Sequence, residues 1–141
     1  DVFGVVLCRD GDKAVKRNFE REGVMVLNAL SRDMFDEAEA LGRASGREKD
    51  KVIARFALEP AKHVHAPQLC ESPLRYEISL RKNLSFEGGN LYLCAIDGVS
   101  TVDASIQNAG VSYDIVAANP LLASQKSYCC VGAQNVLGAW C

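Results

Sequence analysis

Ionised side chains almost cease beyond residue 87. Residues 1–87 hold 15 of the 16 Lys and Arg and 15 of the 18 Asp and Glu, while the last 54 residues carry only Asp97, Asp103, Asp114 and Lys126. Solvated faces normally carry charge, so a stretch this poor in it is read as covered. The charged half is one candidate cover, and a neighbouring molecule is another, because even core strands expose loops and alternate positions. The second reading predicts a non-enzymatic subunit of a larger protein assembly, a homo- or hetero-oligomer, that docks through its weakly charged C-terminal third.

The charge break also organises the chain. A charged helical half (1–59), a linker (60–73) and a weakly charged β-rich half (74–141) are expected within a single globular domain, a size the 141 residues suit. With 48% apolar and 24% charged residues the chain has the balance of a folded protein. A net charge of −2 argues against nucleic acid as a partner. No run approaches the ~20 apolar residues of a membrane span. The opening "DVFGVVL" shows no charged leader or cleavage pattern, so a targeting segment is not expected in this chain.

Local patterns predict an α+β domain: a mixed sheet with an N-terminal β-α-β unit, a helix pair, and a hairpin in the C-terminal half. "VFGVVLC" (2–8) is valine-rich and reads as a buried strand. Asp12 is placed to cap a helix over 13–22 with Val15 and Phe19 on its inner face, and Gly23 suits the left-handed position after it. "VMVLN" (24–28) is a second strand. Ser31 caps a helix to about residue 45 that turns Met34, Phe35, Ala38 and Leu41 inward, and a third helix is expected over 47–58. Four prolines punctuate the chain, and three of them (Pro60, Pro67, Pro73) make 60–73 a linker without regular structure. Alternation from Arg75 to Arg81 predicts a half-exposed strand with Tyr76, Ile78 and Leu80 inward, "EGGN" (87–90) a hairpin turn, and "LYLCAI" (91–96) its return. A short helix through Val102, Ile106 and Ala109, a strand over 111–117, a stop at Asn119-Pro120, and in 127–141 a strand followed by a terminal helical turn account for the remainder.

Several constellations are chemically suggestive. His63 and His65 project to one side of an extended segment and Cys70 follows, residue types that ligate zinc, although H-x-H-x4-C is no recurrent finger spacing. A tetrapyrrole tethered by a thioether would use Cys8 or Cys70, with Arg9 for its carboxylates and Asp10 for its ring nitrogens. "CRDGDK" (8–13) joins a strand to a helix, where α/β proteins place ligand loops, and Asp10 and Asp12 there would suit a magnesium-dependent phosphoryl-transfer enzyme or, more simply, a turn and a cap. These alternatives leave the cofactor open.

Six cysteines permit three disulfides in 15 connectivities. Cys8 and Cys94 lie in apolar runs and are expected to be buried free thiols. Cys129 and Cys130 are adjacent, and adjacent cysteines rarely bridge each other. No G-x-S-x-G elbow accompanies the serines, and Asn83-Leu84-Ser85 is too short a pattern to assign glycosylation.

Overall fold

In the computed structural model β1 (Val2–Cys8) takes the extended form its valines favour, and it lies at one edge of a four-stranded sheet ordered β1-β6-β5-β2. The structure describes residues 2–8, 13–108, 112–124 and 127–131. Helix α1 (Ala14–Glu22) follows and stops at Gly23, which adopts φ 71° and donates its N–H to the Phe19 carbonyl at 2.8 Å, the left-handed cap the sequence predicts. Val15 is 52% exposed, so Phe19 alone carries the inner face. Asp12, the expected cap, lies outside the described residues. Strand β2 (Val24–Asn28) matches the prediction and borders β5, to which Leu80 N–H links Gly23 O.

Ser31 opens a 3-10 turn, Arg32–Met34, that runs into α2 (Phe35–Arg43); its hydroxyl makes no capping bond. Helix α3 (Gly46–Ile53) is shorter than the expected 47–58. The reason is Pro60, which biases the preceding chain toward extended geometry. Residues Leu58–Pro60 become β3, paired with β4 (Pro67–Leu69), and the Ala57 carbonyl accepts from Cys70 N–H. The segment read as an irregular linker therefore holds two short strands, with prolines at a strand end and a strand start, where missing donors cost least.

Strand β5 (Arg75–Phe86) turns through Glu87 and Gly88 into β6 (Gly89–Ser100), the predicted hairpin, with Gly88 at φ 86°. β6 pairs antiparallel with both β1 and β5 and so is a central strand. Its Tyr92 and Cys94 are fully buried with Phe19 and Ile78, and Val5, Met25, Leu27, Leu80 and Ile96 pack around them. The Phe19 and Tyr92 rings meet edge to face at 5.5 Å.

The predicted half-exposed face of β5 is dry at its start and exposed from Arg81 onward. Glu77 is 1% and Arg75 6% exposed. Irregular register between Glu77 and Ile78 interrupts the simple alternation on which the prediction rested.

Beyond β6, Asp103 caps a 3-10 turn (Ala104–Ile106) that buries Ile106 but leaves Val102 exposed. β7 (Gln107–Asn108) pairs with β8 (Ser112–Tyr113), and Asp114 caps α4 (Ile115–Ala118) by accepting from the N–H groups of Val116 and Ala117. The strand expected over 111–117 thus yields to a capped helical turn, because the Asp114 carboxylate satisfies free N–H groups locally. Ala109, Gly110 and the expected terminal helical turn lie outside the described residues. β9 (Leu121–Ser124) and β10 (Ser127–Cys130) form a final antiparallel ladder.

The fold class is α+β, as expected. Contacts divide the chain into two compact units, each discontinuous. One comprises Asp1–Leu27, Glu59–Gln68 and Arg75–Ser100 and contains the sheet; the other comprises Asn28–Leu58, Leu69–Leu74 and Thr101–Cys141.

Candidate functional site

In the second unit a cleft of about 500 Å³ is lined by Arg32, Phe35, Leu121, Tyr128, Cys129 and Cys130. Local forces explain why these distant residues meet. Met34 is buried and anchors the 3-10 turn that enters α2. Leu121 N–H donates to Leu30 O at 2.6 Å and Ser31 bridges Pro120, which ties the start of β9 to that turn. β10 then follows by pairing with β9, Tyr128 opposite Ala123 and Cys130 opposite Leu121. The Tyr128 ring meets Phe35 edge to face at 5.1 Å.

Alternate residues of a strand share a face, so Tyr128 and Cys130, with Leu121 across the ladder, belong to one side. Cys129, which also lines the cleft, pairs with Leu122, whose carbonyl its thiol approaches at 3.8 Å. Arg32 supplies the only charge among the lining residues. A guanidinium, two aromatic rings and apolar walls suit a flat aromatic group bearing an anionic substituent, and the volume is that of a small-molecule site.

The first unit has a polar counterpart. Helix α1 has no acidic residue in its first turn and its N-cap, Lys13, makes no side-chain capping bond. Such an end favours an anion. Lys16, one turn in, is held by Asn90 Oδ1 at 2.6 Å, and Asn90 in turn donates to Asn83 Oδ1 and Ser85 Oγ. Glu20 accepts from the Tyr92 hydroxyl and from Asn83 Nδ2.

The residues singled out from sequence fall elsewhere. Arg9 and Asp10 lie outside the described residues, and of Cys8 only the backbone is described, at the end of β1 opposite Asn90. His63 and His65 are exposed. The backbone N–H groups of His63 and Val64 both donate to Glu77 Oε2, and the His63 ring lies against Gly98. Among the described residues no three His, Cys, Asp or Glu side chains converge on a metal position, so the His63, His65, Cys70 spacing does not become a common centre. Cys70, Cys94, Cys129 and Cys130 are free thiols, and burial pushes the Cys94 thiol above its ordinary range. The cleft was missed because Arg32 carries no motif, Phe35 read as core, and Tyr128 is far along the chain. The vicinal cysteines were its one visible trace.

The fold is α+β, with a four-stranded sheet in one unit and an aromatic, arginine-bearing cleft in the other. Residues 3–132 match the flavin reductase like domain, and the chain belongs to that family. Solved structures with the same fold include the Pseudomonas fluorescens 2-nitrobenzoate 2-nitroreductase NbaA (TM-score 0.80, 16% identity, 98% of this chain and 68% of that one). They also include the flavoredoxin from Methanosarcina acetivorans (0.82, 22%, 98% and 72%) and the flavoredoxin of Desulfovibrio vulgaris Miyazaki F (0.80, 22%, 96% and 73%). No curated protein matches in sequence.

Family membership overturns the non-enzymatic docking subunit predicted from the charge break, and with it the tethered-tetrapyrrole, metal-binding and phosphoryl-transfer alternatives. The physical error was to ask for an external cover. Tyr92 and Cys94 of β6 are dry because its own sheet neighbours and Phe19 of α1 enclose them, while Leu122 and Tyr128, farther along the same weakly charged stretch, are exposed. Among the described residues no helix is long and apolar enough to cross a membrane.

Proposed function

We propose that this protein is a flavin-binding redox enzyme. The carrying observation is the family match over nearly the whole chain. The names of the similar structures, a nitroreductase and two flavoredoxins, agree with it.

The residues present fit parts of a flavin. In the cleft, Phe35 and Tyr128 offer aromatic surface to a flat ring, Leu121 an apolar wall, and Arg32 a partner for an anionic substituent. Among the described residues the first turn of α1 carries no acidic side chain, which makes it a second place to test for a phosphate. A bound flavin supplies two-electron chemistry, accepting a hydride equivalent and passing electrons on singly or in pairs. The chain's own contribution is to bind, orient and desolvate. Arg32 brings a charge to the cleft lining, and the edge-to-face Phe35–Tyr128 contact sets the tilt of the exposed tyrosine ring.

The test is a titration of the purified chain with FMN and with FAD, followed by flavin absorbance and fluorescence, and then anaerobic addition of a reduced nicotinamide. Saturable binding with quenched fluorescence and bleaching on reduction is expected. Absence of binding to either flavin defeats the reading. Tyr128→Ala is expected to weaken binding by about 1–3 kcal/mol, the usual worth of a stacked aromatic contact, if the ring occupies the cleft; a loss confined to Lys13→Gln would move the assignment to α1.

A further inference from the structure

We infer that the segment 59–68 closes over a built-in hydration site in the first unit: one ordered water molecule, held between Gln68 Oε1 and Ser100 Oγ beside the buried guanidinium of Arg75. Along β5, Tyr76 and Ile78 pack in the core, while Arg75 and Glu77, which alternate with them, face segment 59–68. What fixes that segment to the sheet is polar. Arg75 Nη1 and Gln68 Nε2 both donate to Glu59 Oε1, at 2.7 and 3.0 Å, and Glu77 Oε2 accepts from the N–H groups of His63 and Val64. Within 59–68 only Val64 and Gln68 are buried. Surfaces joined by polar contacts routinely hold bridging water.

Two atoms identify the ligand. Gln68 is 7% exposed, and its Oε1 is buried with no hydrogen-bond partner among the described residues. Turning the amide over gives no relief, because Oε1 would then face the Glu59 carboxylate and the NH2 group would be stranded. Ser100 is the direct cross-strand partner of Arg75, so its side chain lies on the same sheet face. Its Oγ is likewise buried and unpartnered among the described residues. Gln68 and Arg75 meet on one Glu59 oxygen, which brings both atoms to the flanks of the same guanidinium. Gln68 Oε1 needs a donor, and Ser100 Oγ can donate or accept. Water meets both needs and adds no charge where Glu59 already neutralises Arg75. A cation would be repelled by the guanidinium, and an anion would have no proton for Gln68 Oε1. The water completes the bonding around the buried ion pair and so helps to latch β3 and β4 onto the sheet.

The experiment is a crystal structure of the full chain at a resolution that shows ordered solvent, joined to a double-mutant cycle. One solvent peak within hydrogen-bonding distance of both Gln68 Oε1 and Ser100 Oγ is expected. A peak bonded to only one of them, or none, overturns the inference, and this observation decides the matter even where a variant fails to fold. The cycle combines Gln68→Met with Ser100→Ala and reads urea unfolding. These side chains make no hydrogen bond to each other, so a shared ligand is expected to couple them by about fivefold or more in the folding constant. Additivity within about twofold overturns the bridge. Ser79→Ala is the control: Ser79 Oγ is another buried, unpartnered hydroxyl among the described residues, but it lies opposite Ala95, beyond Glu77. Its effect is expected to add to that of Gln68→Met, and equal coupling to Ser79 would also overturn a water shared by Gln68 and Ser100 alone.

Discussion

A carboxylate that is 1% exposed is tolerated in β5 because two backbone N–H groups, from His63 and Val64, take the place of water at Glu77 Oε2. Glu77→Gln keeps an acceptor but loses the charge that the two N–H groups face. Destabilisation of about 1–3 kcal/mol is expected, read from the urea midpoint at unchanged m. Gly98 is constrained by the same segment: a Cβ there would come within 2.4 Å of His63 Cδ2. Gly98→Ala should cost about 1–3 kcal/mol of overpacking, and most of that should return in the Gly98→Ala, His63→Ala double variant, because His63 is exposed and dispensable to the core. Nothing in single-sequence alternation foretells either contact. Cys94 was legible as a buried thiol, and its raised pKa has a consequence with a definite sign. The unfolded chain ionises first, so this contribution to stability is fully present below about pH 8.5 and is lost as pH rises above it. Thermal midpoints of wild type should fall more steeply above that pH than those of Cys94→Ala.

Elements set by local chemistry were the ones the sequence revealed. The end of α1 at Gly23 is an example, since its cap depends on one residue's freedom to take φ 71°. No atom lies within 4 Å of a Cβ built there, so Gly23→Ala isolates backbone strain. A loss of about 1–2 kcal/mol is expected, with native circular dichroism retained. The β5–β6 turn was equally readable, because Gly88 meets the same requirement in a two-residue loop. By contrast β3, β4 and the α4 turn were hidden. β3 and β4 exist only because each supplies the other's hydrogen bonds, and α4 exists because Asp114 reaches its own first turn.

At the scale of the molecule, the weakly charged stretch after residue 87 proved to be several environments rather than one surface. Its first twelve or so residues become the central strand β6, enclosed within its own unit, and its later residues supply one wall of the cleft. A ligand that binds only the folded chain stabilises it by mass action, so FMN at a hundredfold excess over its dissociation constant should add about 2.7 kcal/mol. The corresponding rise in thermal midpoint, absent with riboflavin if the phosphate contributes most of the affinity, is the measurement that joins function to fold.

By itself the sequence determined that α1 stops at Gly23, that a hairpin turns at Gly88, and that the core would hold Phe19, Ile78 and Cys94, because such features depend on neighbouring residues and on apolar periodicity. Tertiary structure alone decided that Glu77 is buried, that His63 lies against Gly98, and that Arg32, Phe35, Tyr128 and Cys130 share a cleft. Those outcomes depend on strand pairing and register between segments far apart in the chain, and pairing energy is not written in either segment separately.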